Sequence, residues 1–217
     1  MTATTPLTTT PLTVAVLGAG TIGRTLATGW ARAGHRVVLG TRQPHDDRIH
    51  RAIDETGADH AAPHADAARA AQAVLIAVPG DQVDPLVATL GHTLRGRITI
   101  DATNALTPGA TNLHHIDALV RAGAVAYRAF NTTGWEQMQR PMFGEQRADM
   151  PFSGPDNGGR DVVTRLIDEI GFRPIWLGDG ADAHALTDAL ARLWFQLAFR
   201  QGWGRRLGWR MLTDADD

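Results

Sequence analysis

The stretch Thr13-Val-Ala-Val-Leu-Gly-Ala-Gly-Thr-Ile-Gly23 constrains this chain more than any other. Val14, Val16 and Leu17 read as a short buried strand, and Gly18, Gly20 and Gly23 follow at G-x-G-x-x-G spacing. From Thr21 to Ala33 the periodicity becomes helical, with Ile22, Leu26, Trp30 and Ala33 about one turn apart. Strand, tight turn and helix together turn three glycines into a usable signature. Gly18 allows the sharp turn, Gly20 lets backbone N–H groups approach a pyrophosphate, and Gly23 lets the helix lie against the strand. The helix N-terminus, with unpaired N–H groups and partial positive charge, then faces the phosphates. The expectation is a dinucleotide site.

A chain of 217 residues suffices for one α/β domain with a sizeable core. No apolar run approaches the roughly 20 residues that cross a bilayer. Residues 1–12 read as a flexible Thr/Pro tail, without the basic and apolar regions of a secretory signal. A formal charge of −2 argues against a nucleic-acid footprint. A cytoplasmic protein without membrane or nucleic-acid partners is expected. The absence of cysteine excludes disulfides and thiolate chemistry. The absence of lysine excludes Schiff-base and lysine general-acid chemistry, and Ser153 is the sole serine. It sits in Pro151-Phe-Ser-Gly-Pro-Asp-Asn-Gly158, a turn-like segment unlike a nucleophile elbow.

His35-Arg-Val-Val-Leu-Gly-Thr-Arg42 reads as the second parallel strand. At its end an NAD-specific fold carries Asp or Glu for the ribose 2′-OH. This chain has Gly40-Thr41-Arg42 there, with no carboxylate before Asp46. A hydroxyl and a guanidinium suit a 2′-phosphate, so NADP is favoured over NAD. His45 to Ala71 reads as Ala-rich and partly helical, broken by Pro63. His60 and His64 have a helical metal-ligand spacing, but Pro63 between them and the lack of a third ligand argue for a surface pair. No metal site is expected.

Ala73-Val-Leu-Ile-Ala-Val-Pro79 is a continuous apolar run, as in a strand buried on both faces. Val83 to Leu94 reads as a crossover helix, and Arg97 to Asn104 as the next strand. Ligands on open parallel sheets bind outside the carboxyl ends of the strands. Val78, Pro79, Ala102, Thr103 and Asn104 therefore point to one crevice, and Gly123 to Asn131 delivers Phe130 and Asn131 to the same edge. Beyond it, Phe143–Ser153 and Gly171–Gly178 read as strands flanking a helix at Asp161–Ile170, followed by a long helix over Asp182–Arg200. Of the six tryptophans, Trp176, Trp194, Trp203 and Trp209 fall in this region. Their apolar stripe reads either as core or as a shared wall, a dimer contact or the floor of a planar pocket.

The expected fold is therefore α/β, a Rossmann-type, doubly wound, mostly parallel sheet with a small C-terminal α/β extension ending in an aromatic-rich helix. The core would span residues 13–127. The extension, 128–217, would pack on the same sheet and form the acceptor side of the cleft.

The order of these pieces resembles the NADPH-dependent F420 reductase family, or F420-dependent NADP oxidoreductases. The matching segments are Val16-Leu-Gly-Ala-Gly-Thr-Ile-Gly23, Val38-Leu-Gly-Thr-Arg42, Asp101-Ala-Thr-Asn104, Arg128-Ala-Phe-Asn-Thr132 and Gly171-Phe-Arg-Pro174. The family is similar to the N-terminal domain of hydroxyacid dehydrogenases and imine reductases, without their large helical C-terminal domain. The resemblance implies hydride transfer between NADP(H) and coenzyme F420, a deazaflavin. It matches Gly18, Gly20, Thr21, Ile22 and Gly23 to the pyrophosphate turn, and Thr41 and Arg42 to the 2′-phosphate clamp. Val78, Pro79, Ala102, Asn104 and Asn131 would surround the nicotinamide, with no catalytic side chain implied. Arg128 stands where many relatives carry Lys, and His45 and Arg48 stand in for a Lys after Arg42. Another small planar hydride acceptor (a flavin, a quinone or an imine) fits the same residues. So does a non-catalytic NADP(H)-sensing or partner-binding module, and a homodimer is compatible with either.

Overall fold

The computed structural model describes residues 10–104 and 112–214, so most of the Thr/Pro tail lies outside the described residues. The chain alternates β1 (Thr13–Leu17), α1 (Thr21–Arg32), β2 (Arg36–Thr41), α2 (Asp47–Thr56), β3 (His60–Pro63) and α3 (His64–Ala70). It continues through β4 (Ala73–Ile76), α4 (Val83–Leu90), β5 (Ile98–Asp101), α5 (Leu113–Arg121) and β6 (Val125–Arg128). These six strands pair in the order β3-β2-β1-β4-β5-β6, every pair parallel. The order reverses between β1 and β4, which is where an open α/β sheet opens its crevice.

Apolar patterning explains the layers. β4 is buried along its whole length, as a central strand covered on both faces must be. One apolar cluster joins Val14, Leu26, Trp30, Tyr127, Phe130 and Leu166. The other joins Leu17, Val74, Ile76, Leu86, Leu90 and Leu119 on the opposite face. Successive strand residues point to alternate faces, so Leu17 and Val16 fall in different clusters.

The remainder holds α6 (Trp135–Gln139), β7 (Met142–Phe143), β8 (Gln146–Arg147), β9 (Asp149–Phe152), α7 (Gly158–Ile170), β10 (Arg173–Trp176) and α8 (Gly180–Phe195). β9 and β10 form a separate parallel pair. It meets the main sheet through one antiparallel bridge, with Arg128 N–H donating to Ser153 O at 2.9 Å and Ser153 N–H to Arg128 O at 3.0 Å. α7 packs on α1: the buried Trp30 indole donates to Leu166 O at 2.9 Å, and its ring meets Phe130 edge-on at 5.9 Å. His35 accepts from Leu12 N–H through Nδ1, and its Nε2 lies 2.6 Å from Glu169 of α7.

Several segments differ from their sequence reading. His60–Pro63 is a strand and not part of a helical tract; only four residues long, it lies at the sheet edge, where a proline is tolerated. Phe143–Ser153 is not one strand, because Gly144 at φ +59° turns the chain into the β7–β8 hairpin before β9 begins. α7 starts three residues early, since Asn157 caps it by accepting from Gly159 N–H at 2.8 Å. α8 opens into a wider π-helical turn over Gln196–Arg200. Ser153 is fully buried, with Oγ 2.8 Å from His184 Nδ1, and so is no accessible nucleophile.

The glycine turn is held by its own residues and by the ends of the strands beside it. Gly18 has φ +114°, and its N–H donates to Gly40 O at 3.1 Å. A Cβ on Gly18 would strike the Ala77 carbonyl on the β4 side of the crevice, and one on Gly23 would collide with the Gly18 carbonyl oxygen. A Cβ on Gly20 would meet nothing within 4 Å. Gly23→Ala should therefore lower stability by about 1–3 kcal/mol, the usual cost of overpacking. Gly20→Ala should leave the denaturation midpoint in place and weaken binding of any dinucleotide diphosphate. Urea titrations of both variants check this; equal midpoints for the two would contradict it.

Candidate dinucleotide and acceptor site

Two cavities flank the glycine turn. The first, of about 780 Å³, lies between the turn and the β2 end and is lined by Arg24, Thr41, Arg42, Asp46, Arg48 and Arg51, among others. Four arginines face only Asp46 and Glu55, so the wall is net positive. Arg24 pairs with Glu55 at 3.1 Å, and Arg48 with Asp46 at 3.1 Å. Asp46 also caps α2 by accepting from Arg48 N–H at 2.8 Å. Hydrogen bonds from the Arg48 side chain and backbone hold its carboxyl at about 2, well below the usual range. Asp46 is thus occupied with Arg48. No carboxylate pairs with Arg42 among the described residues, and Arg42 is exposed at the cavity wall.

The second cavity, of about 670 Å³, opens at the carboxyl ends of β4, β5 and β6. Ile22 of α1 and the loop Ala77–Asp81 form one side; Ala102, Thr103 and Asn104 form the floor. Phe130, Trp135, Trp194 and Phe195 supply an aromatic wall. Phe130 is the one non-glycine residue with positive φ among the described residues, at +65°. Such a conformation costs about 1–3 kcal/mol and persists where surroundings enforce it, often at binding sites. Beside it Asn104 Nδ2 donates to Asn131 O at 2.8 Å, tying the β5 and β6 ends together.

Beneath this cavity lies a buried ionic cluster. Arg128, fully buried at the end of β6, donates from Nη1 to Asp101 at 2.6 Å and from Nη2 to Asp188 at 2.6 Å. Its Nε donates to Thr187 Oγ1 at 3.2 Å, and Nη2 also reaches Thr103 O at 3.2 Å. Asp188 accepts in addition from Asn112 N–H at 2.9 Å, which anchors the start of α5. Burial pushes the Asp101 carboxyl up, but the Arg128 charge and hydrogen bonds from His115 and Thr103 outweigh it and hold the group below its ordinary range. The cluster clamps α8 over the strand ends and so positions Trp194 and Phe195.

The predicted site residues divide accordingly. Thr41 and Arg42 line the basic cavity. Ile22, Val78, Pro79, Ala102 and Asn104 line the aromatic one. Gly18, Gly20, Thr21 and Gly23 form the turn between them, with Gly20 capping α1. Asn131 is not brought into the lining: its side chain is buried, with Nδ2 and Oδ1 unbonded. Sequence reasoning missed Arg51, although Arg48 and Arg51 are three apart on α2 behind a capping Asp46, a readable pattern. It also missed Trp135, His114 and His115, which arrive from α5 and α6. His60 and His64 do not share a helix face, since one lies on β3 and the other begins α3. In α8 the buried face is Ala183, His184, Thr187, Asp188, Ala191 and Trp194, while Leu186 and Leu193 are exposed, as is Phe199 just beyond. The aromatic stripe is therefore pocket wall at Trp194 and Phe195 and open surface at Phe199 and Trp203.

A parallel doubly wound sheet with a glycine turn at its switch point and a basic cavity at the second strand is an architecture found among dinucleotide-binding proteins. The family model described as NADP oxidoreductase, coenzyme F420-dependent, matches residues 13–105. Among solved structures, a candidate F420-dependent NADP reductase from Arthrobacter sp. FB24 superposes with a TM-score of 0.80 at 26% identity, over 93% of this chain and 100% of that one. The hypothetical protein SMa0349 from Sinorhizobium meliloti gives 0.68 at 26% identity, over 93% and 96% of the two chains. An imine reductase from Streptomyces aurantiacus shares the fold, with a TM-score of 0.69 at 18% identity, over 88% of this chain and 64% of that one. No curated protein sequence matches the chain significantly. The match and the similar structures place the chain among the NADP-dependent oxidoreductases and bear out its resemblance to the F420-dependent family.

Proposed function

We propose that the chain transfers hydride between NADPH and a planar acceptor of the deazaflavin type. The observation that carries this reading is the pair of cavities, one cationic and one aromatic, separated by a turn whose central Gly20 leaves open space. A dinucleotide has the same polarity, with a phosphorylated ribose at one end and a flat apolar ring at the other. Thr41, Arg42 and Arg51 would hold the 2′-phosphate by charge-assisted hydrogen bonds. The α1 N-terminus, which lacks a side-chain cap, would face the diphosphate. Val78, Pro79 and Ala102 would seat the nicotinamide, leaving Trp135, Trp194 and Phe195 to stack the acceptor.

Bound there, the nicotinamide would supply a hydride from its ring C4 to C5 of the deazaflavin, with the accompanying proton taken from solvent. The protein's part would be to align the two rings and keep water from between them, since correct placement at about 3–3.5 Å accounts for much of such a rate. Clamping α8 through Arg128 keeps the aromatic wall in register with the strand ends.

Mixing the protein with NADPH and oxidised F420 should bleach the deazaflavin absorbance catalytically. NADPH oxidation with a flavin, quinone or imine and not with F420 would move the assignment to that acceptor. Tight NADPH binding with no acceptor reduced would favour a non-catalytic NADP(H)-binding module.

A further inference from the structure

Beside the aromatic cavity, α4 and α5 bring together three side chains that the reaction above does not use. One ligand atom each from Asp84, His114 and His115 lies within 4.8 Å of the other two. His114 Nε2 is 3.9 Å from Asp84 Oδ2, and the two imidazole centroids are 4.1 Å apart. Asp84 and His114 are exposed, whereas His115 is buried. The first two form a solvated His–Asp pair, and the third is held in place from the buried side. His115 Nδ1 lies 3.3 Å from Thr103 Oγ1 and 3.7 Å from Asp101 Oδ2. Thr103 Oγ1 is within hydrogen-bond distance of Nδ1 and the Asp101 carboxylate lies just beyond it, so polar neighbours hold the ring from its buried side. A polar partner on one imidazole nitrogen is how metal-binding histidines are commonly oriented.

We propose that Asp84, His114 and His115 bind a divalent cation of the Zn²⁺ class at the rim of the acceptor cavity. Two imidazoles and one carboxylate suit Zn²⁺, Co²⁺ or Ni²⁺, whereas Mg²⁺ and Ca²⁺ prefer oxygen-only shells. Bonds of about 2.0–2.2 Å to the metal require the ligand atoms to draw closer than they stand. The exposure of Asp84 and His114 allows this by side-chain rotation, with His115 as the fixed point. Three protein ligands leave a fourth position, as in zinc sites that act on a bound molecule. Both histidines line the cavity, together with Asp81. On the reading that this cavity receives the hydride acceptor, a carbonyl or anionic oxygen of that molecule is the fitting fourth ligand.

The test is a Co²⁺ titration of the tag-free protein, followed by visible absorption and calorimetry. One Co²⁺ per chain is expected, with ligand-field bands that Zn²⁺ displaces. His114→Ala and Asp84→Ala should each weaken binding at least tenfold, and both positions are exposed enough to spare the fold. His92→Ala, a surface histidine elsewhere, should change nothing. Absence of saturable binding, or equal binding by wild type, H114A and D84A, would overturn the proposal. An NADPH titration on the same samples separates this outcome from a failure of the dinucleotide reading.

Discussion

Arg128→Ala is expected to destabilise the protein by about 3–5 kcal/mol, the cost of removing one partner from a buried ion pair. The guanidinium is fully buried and every one of its nitrogens is hydrogen-bonded, to Asp101, Asp188, Thr187 and the Thr103 carbonyl. Its loss would leave two carboxylates buried together, and two such groups repel or take up protons. The pH dependence makes the account specific. The folded-state Asp101 carboxyl is held below its ordinary value, so its contribution is present above the unfolded pKa of about 3.9 and is lost as pH falls through the lower folded value. Wild type should thus lose stability steeply below about pH 4. In the variant Asp101 loses its main source of depression, and the gap between the two proteins should narrow in acid. Denaturant midpoints at pH 7 and pH 3 measure this; a gap of the same size at both would contradict the clamp.

Arg42→Ala should weaken NADPH binding by about 1.5–3 kcal/mol, roughly 10–150-fold, and leave NADH nearly untouched. Arg48 and Arg24 are each engaged with a carboxylate on the cavity wall, whereas among the described residues no carboxylate pairs with Arg42. The charge available to a 2′-phosphate is therefore concentrated at Arg42, with Arg51 beside it. Fluorescence titrations of both nucleotides read the discrimination directly. Equal losses for NADPH and NADH would show that Arg42 serves the diphosphate or the fold and not the 2′-phosphate.

How far the sequence could be read follows from how local each determinant is. The β1–α1 turn was legible because Gly23 answers to the Gly18 carbonyl within the same turn, a need written in their spacing, although the Ala77 carbonyl that excludes a Cβ on Gly18 comes from the end of β4, far along the chain. The central strands were legible because burial on both faces leaves an unbroken apolar run. β3 was hidden: His60-Ala-Ala-Pro63 has no apolar run, and only its pairing with β2 makes it a strand. Arg128 could be seen at the end of a strand, but Asp188, sixty residues on, makes it a clamp rather than a ligand-binding cation. The same distance in sequence concealed the cavity wall, since Trp135 and Trp194 meet only once α8 is pinned over the sheet. Asn131 could be placed at a strand's carboxyl end from its sequence, but not the burial of its side chain with both polar atoms unbonded, which depends on how the chain packs after Phe130.

The most direct test is a structure of the protein with NADP bound. The account predicts the diphosphate over Gly20 at the α1 N-terminus, the 2′-phosphate against Thr41 and Arg42, and the nicotinamide packed on Val78, Pro79 and Ala102 facing Trp135 and Trp194. A nucleotide bound elsewhere, or one whose nicotinamide points away from the aromatic cavity, would contradict it.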